Sequence, residues 1–350
     1  MLRVRLMNLF SLVVAGSILL SGGIAAAAPA TQATKPIAAN GSASSSGLKI
    51  SPVRSDITVN AGSTQIVPVT VENVTSQVAS YKVVINDFTA ATDETGQPQI
   101  ILDANQFAQS HSLKRLVGDI PNVTLSPGQT ANINVPVTVP KDYKAGGYYG
   151  AVRFVPASSD NAASKNVTLS ASVGSLILVT VPGDIREALS VASLDVRKIV
   201  GPNQIDAPRT IFSSPDKLKA TVRFQNAGDI QEQPFGKIQL QTWRGKIIAN
   251  YEVNNETPRG NVLPGSIRKF DIPFTTKLGK IGAYKLVGNF GYGSNGSLIT
   301  ASTNFYIIPF WAIVLFVLLI VLLLAAIFGL PRAIKAYNRR VVARSQSRRR

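Results

Sequence analysis

The chain has 350 residues, no cysteine and one histidine, with 36 Lys and Arg against 19 Asp and Glu for a formal net charge of +17. The missing cysteines exclude disulfides, thiolate chemistry and lipid attachment through a thiol, and with one histidine they exclude metal sites built from His and Cys clusters. The charge is not spread: two positive charges sit at the start (Arg3, Arg5), eight in a C-terminal run, and +7 remains between them, so no nucleic-acid partner is expected.

Residues 1–30 read as a signal peptide: a basic start, an apolar run from Leu9 to Ile24, then small residues offering cleavage at Ala25-Ala26-Ala27 or Ala28-Pro29-Ala30. An uncleaved anchor is the alternative. Residues 31–47, rich in Ala, Ser, Thr and Gly, have almost nothing large to bury and are expected to be a flexible leader.

Residues 48–183 read as strands and turns. Val67, Val69 and Val71 share one face, and so do Ile133, Val135, Val137 and Val139. A period of two with β-branched residues marks a half-buried strand. Pro136 interrupts the second run, which predicts an edge strand, where a missing N–H does no harm. SLILVTV is apolar on both faces and predicts a central strand. Turns are marked by Asn60-Ala61-Gly62, Thr95-Gly96 and Pro127-Gly128. Ala104 to Val117 predicts one short helix.

Residues 184–305 repeat the pattern, with Leu218, Ala220, Val222 and Phe224 expected inward. The halves also share landmarks. Val71-Glu72-Asn73 corresponds to Phe224-Gln225-Asn226, and Pro127-Gly128 to Pro264-Gly265. From each proline to the tyrosine of a following Gly-rich stretch is 21 residues in the first half (Tyr148) and 20 in the second (Tyr284). The fold expected is all-β: two tandem immunoglobulin-like β-sandwiches. The first half has 54 positions between its asparagine and its proline, against 38 in the second. The excess lies in Asn86 to Asn122, which is either a binding loop or an extra hairpin.

Residues 307–330, from Ile307 to Leu330, hold no charge and predict a single transmembrane helix, with Trp311 at interfacial depth. The basic run of residues 331–350 resists translocation, so it is expected in the cytoplasm, with everything before the helix outside a plasma membrane.

Residues 125–154, LSPGQTANINVPVTVPKDYKAGGYYGAVRF, resemble the hallmark segment of the WxL-interacting protein family, as do SHSLKRLVGDIPNVTL before it and ISPVRSDITVNAGSTQIVPVTVEN near the start. The resemblance implies a bacterial cell-surface protein with a signal peptide, two sandwiches, one membrane helix and a basic tail. It implies peptidoglycan binding by the first sandwich and contact with other surface proteins by the second. A membrane-tethered relative of pilus chaperones, an assembly factor, is the alternative.

Other motifs point away from chemistry, and neither an enzyme nor a cofactor is expected. Gly291 to Gly296 spells G-x-G-x-x-G, but a strand follows where a nucleotide fold needs a helix; Asn295-Gly296 reads as a hairpin turn. His111, the one histidine, reads as a solvated loop residue. Tyr143, Tyr148 and Tyr149, beside Gly146-Gly147, are the candidate ligand contacts, because exposed rings stack on sugars. Core filling by the tyrosine after the glycines is the competing reading.

Overall fold

The computed structural model describes residues 43–45, 47–103, 105–157, 172–201 and 207–347. The expected signal peptide, and most of the expected leader, lie outside them. The first ten strands are β1 (Ala43–Ser45), β2 (Leu48–Ser51), β3 (Arg54–Thr58), β4 (Thr64–Asn73), β5 (Ala79–Ala90), β6 (Pro98–Ile100), β7 (Val123–Leu125), β8 (Thr130–Thr138), β9 (Gly146–Pro156) and β10 (Val173–Val181). One sheet runs β1-β2-β4-β8 and the other β3-β10-β9-β5-β6, with β7 also on β5. β3 joins β10 in parallel; the other pairs are antiparallel.

The sequence periods translate directly. Val67, Val69, Val71, Val135 and Val137 face a buried core with Ile50, Leu125, Val152, Phe154 and Ile177. β8, with Pro136, lies at a sheet edge, and β10 lies inside its sheet. Two expectations fail. Residues 43–45 of the leader pair with Leu48 to Ile50 as an edge strand, because a backbone edge offers hydrogen bonds whatever the side chains are. The helix expected over 104–117 is absent from the described residues 105–117, which carry only a 3-10 turn at Lys114–Leu116.

The second sandwich consists of β11 (Leu189–Lys198), β12 (Ile211–Phe212), β13 (Leu218–Asn226), β14 (Phe235–Thr242), β15 (Ile247–Val253), β16 (Ile267–Pro273), β17 (Gly282–Tyr292) and β18 (Ser297–Ile307). Its sheets run β11-β13-β16 and β12-β18-β17-β14-β15. Leu218, Ala220, Val222 and Phe224 all point into its core, where Phe224 meets Phe290 edge-on at 4.9 Å. Burial of Leu218, Val222 and Phe224 contributes about 1.5–3 kcal/mol each.

Helix α1 (Phe310–Ser347) follows, later than the sequence predicts. Ile307 belongs to β18 and is fully buried, and Ile308 N donates to Phe212 O at 2.8 Å. Apolar character alone could not separate the last strand residue from the first helical one. Phe310 to Leu330 is 21 residues, about 31 Å of helix, enough for a hydrocarbon core of about 30 Å. None of its most apolar stretch is buried inside the protein, so the helix fits a membrane anchor. The basic tail continues the same helix through Pro331, and Arg332 Nη1 donates to Phe328 O at 2.7 Å, engaging a carbonyl near the proline.

Candidate functional site: the seam between the sandwiches

The extra segment of the first sandwich is organised by two buried polar residues on β5. Asp87 accepts N–H groups from Ala108 (2.9 Å) and Lys114 (2.8 Å). Asn86 donates to Ile101 O at 2.7 Å and accepts from Arg153 at 3.1 Å. Buried polar groups cost stability unless bonded, so these bonds dictate where the chain from 101 to 117 runs. Leu113 and Leu116 then drop into the core. Between the two readings of Asn86 to Asn122, the structure shows a hairpin, β5–β6, plus a wrapped segment that closes the first core.

The tip of that hairpin reaches the second sandwich. Glu94, in the left-handed region at φ 62°, accepts Lys269 N of β16 through its carbonyl at 2.8 Å. Its carboxylate grips Arg223 of β13 with two bonds, one of 2.7 Å from Nε and a second from Nη2. The Arg223 hydrogen bonds hold the Glu94 carboxyl below its usual range. No local sequence signal marks this pair, whose partners are 129 positions apart.

The tyrosines build the other half of the seam. Tyr149 is 2 % exposed and packs with Phe88 and Leu178, against Leu263 of the second sandwich. Its hydroxyl donates to Gln231 Oε1 at 2.7 Å, and burial pushes its pKa far up. Tyr148 is 7 % exposed and donates to Lys144 O at 2.6 Å; burial raises its pKa to about 12. Tyr143 is half-buried, its ring 5.0 Å from that of Tyr148. Tyr148 and Tyr149 therefore offer no open ring face: the expected sugar-stacking role gives way to core and seam packing. His111 is not merely solvated either. Its ring lies 5.9 Å from Tyr149 and 6.2 Å from Tyr148, and Nδ1 bonds Gly147 O at 2.7 Å.

The glycine pair explains how the second sandwich comes so close. Gly147 N donates to Asp229 O at 2.9 Å. A Cβ on Gly147 would lie 2.0 Å from the Tyr149 hydroxyl, and one on Gly146 would lie 2.9 Å from Asp229 O. Lys144 adds a 3.0 Å ion pair to Asp229, and that bond leads in holding the Asp229 carboxyl low.

Beside the seam is a cavity of about 190 Å³, walled by Phe88, Leu178 and Leu263 and by Arg54, Arg259 and Arg268. Arg54 is paired with Asp56 at 2.8 Å. Arg259 lies over the Phe235 ring at 4.0 Å. Arg268 donates to Asn261 O at 2.8 Å, while its buried Nε has no hydrogen-bond partner. Burial first, then Arg54, lowers its pKa. Chemically, this arrangement can receive a carboxylate or phosphate.

Two carboxylates meet elsewhere, at the turn joining β17 and β18. Glu232 accepts Gly293 N at 3.1 Å and Glu187 accepts Ser294 N at 3.0 Å. Burial, with Glu187 adding to it, raises Glu232 to about 7. The G-x-G-x-x-G stretch is thus a hairpin turn clamped by two acids through its N–H groups, with no helix N-terminus to receive a phosphate. Among the described residues no group of three or more His, Asp or Glu could hold a metal.

A family model described as an Fn3-like domain matches residues 66–182, which run from within β4 to just past β10. The first sandwich is therefore an Fn3-like domain of the wider immunoglobulin-like class. Among solved structures, the chain is similar to a chaperone–tip adhesin complex of CFA/I fimbriae biogenesis, at 11% identity and a TM-score of 0.37, covering 75% of this chain and 100% of that one. It is similar to the class 5 fimbriae chaperone CfaA at 12% identity and 0.36, covering 75% and 99%. It is also similar to the CsuC–CsuE pre-assembly complex from Csu pili of Acinetobacter baumannii at 12% and 0.34, covering 73% and 98%. Likeness at this level says nothing of what the present chain binds. No curated protein matches the chain in sequence.

Proposed function

We propose that the protein is a single-pass surface protein of the plasma membrane that holds two immunoglobulin-like sandwiches outside the cell as one docking body and acts by binding, without chemistry of its own. The observation that carries this reading is structural continuity. The sandwiches are tied to each other by the Glu94–Arg223 and Tyr149–Gln231 bonds, and β18 passes into the apolar helix through Ile308 and Pro309 alone. The basic tail supports a cytoplasmic C-terminus. The resemblance to the WxL-interacting family supplies the ligands: peptidoglycan for the first sandwich, other surface proteins for the second.

A second reading, an assembly factor related to pilus chaperones, has one observation in its favour. β15 pairs only with β14, and Ile247 and Ile248 are exposed on it. An open edge of this kind can take up a partner strand. The test is sedimentation of the detergent-solubilised full chain with insoluble peptidoglycan. Retention in the pellet is expected; a chain that stays in the supernatant sinks wall binding. A photo-cross-linker in place of Glu252 on β15 then reads the second reading, which predicts adducts with secreted subunits in intact cells.

A further inference from the structure

The end of the second sandwich nearest α1 carries features that neither its core nor the seam explains. At this end the strands lie side by side in the order β12, β18, β17, β14. Ile211 pairs with Tyr306, Tyr306 with Ala283, and Trp243 N donates to Ala283 O at 3.1 Å. With strands about 4.8 Å apart, Trp243 leaves the sheet about 10 Å to the side of β18 and level with its last turn of pairing. Yet Trp243 is 70 % exposed, with Arg244 folded over its ring at 4.7 Å. An indole this open on a soluble surface forfeits the burial that usually keeps tryptophan inside.

A basic cleft lies at the same end. The loops 213–217 and 274–280 meet the start of α1 around an open space of about 530 Å³, lined by Ser214, Lys217, Thr276, Lys277, Lys280 and Trp311. Lys217, Lys277 and Lys280 are all exposed and none forms an ion pair among the described residues. Asp216 is the one acid in the lining, and its carboxylate accepts the Ser214 hydroxyl at 2.7 Å. Arg244 and Lys246 extend the positive charge to the Trp243 turn. Since only Ile308 and Pro309 separate β18 from α1, the sandwich has no slack with which to stand off from the surface that α1 enters.

We propose that this end of the second sandwich docks on the bilayer, with Trp243 and Trp311 in the interfacial layer and Lys217, Lys277 and Lys280 taking the phosphates of anionic phospholipid headgroups. The proposal rests on α1 being the membrane span. Indoles favour the interfacial depth, and lysines near an anionic leaflet are drawn to it. The distribution of residue types matches: tryptophans and unpaired cations, with one internally bonded acid. This is the outer leaflet, distinct from the one that the basic tail would meet.

Trp243 and Trp311 are the only two tryptophans in the chain, which separates the two claims cleanly. Full-length protein is reconstituted in phosphatidylcholine vesicles with or without phosphatidylglycerol, carrying a shallow lipid quencher. In the Trp243→Phe protein, Trp311 alone reports the span, and quenching in both lipids is expected. In the Trp311→Phe protein, Trp243 alone reports docking. Its quenching should be stronger in the anionic vesicles, with the excess lost at high salt and lost again on Lys217→Gln/Lys277→Gln/Lys280→Gln. If Trp311 is quenched and Trp243 is not, the docking falls and the span stands. Equal quenching of Trp243 in both lipids overturns the anionic contact and with it the proposal. If Trp311 escapes quenching, the span fails and takes the docking with it.

Discussion

Asn73 and Asn226 perform the same task in the two sandwiches through matching bonds, with Asn73 taking one more from the Thr75 hydroxyl at 2.7 Å. Each is fully buried at the end of its strand. Asn73 donates to Gln77 O (2.8 Å) and Leu125 O (3.0 Å), and Asn226 to Ile230 O (2.7 Å) and Val262 O (2.9 Å). Each side-chain oxygen accepts a backbone N–H two residues on, from Thr75 or Gly228. Each backbone carbonyl receives the glycine of the Pro-Gly turn, Gly128 or Gly265, at 2.8 Å. The two halves then diverge in what hangs on this common frame. The first extends β5 into a hairpin that grips its neighbour; the second extends β18 towards the apolar helix α1. The difference teaches that the frame sets the fold of each half, while the additions set how the halves are joined and where they are held.

The largest expected effect tests the common frame. Asn73→Ala and Asn226→Ala each remove a fully buried hub of at least three hydrogen bonds, at about 1–1.5 kcal/mol apiece. Each should cost about 3–5 kcal/mol, and the two costs should agree within about 1 kcal/mol. Thermal unfolding followed by calorimetry reads both; a gap of several kcal/mol would break the equivalence of the two halves.

The next effect tests the additions. Arg223→Met leaves the Glu94 carboxylate without its partner and should cost about 2 kcal/mol, a figure already reduced for partial exposure. More tellingly, one calorimetric transition should separate into two, one per sandwich. Acid should do the same to the unaltered protein. The folded Glu94 carboxyl is held below its usual value, so its contribution is complete above the ordinary carboxylate pKa and is lost as pH falls through the lowered one. The Asp229 carboxyl shifts the same way. A transition that stays single in the Arg223→Met protein would mean that the Tyr149 side and the Glu94–Lys269 backbone bond suffice to couple the halves.

The smallest effect sharpens the likeness. Tyr148 and Tyr284 both tie a hydroxyl back to the loop before them: Tyr148 donates to Lys144 O, and Tyr284 accepts from Gly279 N at 2.8 Å. Tyr148→Phe and Tyr284→Phe should each cost about 1 kcal/mol. In urea titrations the midpoint should fall without a change of slope.

The strands and the repeat were legible because their signals are local. Alternation places Val135 and Val137, or Val222 and Phe224, without knowledge of any partner, and the Asn to Pro-Gly spacing survives in the hydrogen bonds. The rest depends on contacts far apart in the chain. The sequence predicts a short helix over 104–117, but Asp87 bonds Ala108 N and Lys114 N and so overrides local propensity. Of the two readings of the tyrosines beside Gly146-Gly147, sugar stacking and core filling, burial of Tyr148 and Tyr149 follows the second, while nothing near them in sequence announces Gln231 or Asp229. Ile307 looked like membrane because burial in a sandwich and burial in lipid select the same side chains.

The two-residue passage from β18 to α1 also has a mechanical consequence. β18 is paired with β17 along its whole length, Ser297 to Ile307. A pull on the second sandwich is therefore delivered along a strand whose bonds with its neighbour share the force in shear, and under the proposed anchoring it reaches α1 without first stretching a tether. If α1 spans the membrane as proposed, the sandwiches stand at a fixed height above it, as a stiff post rather than a line.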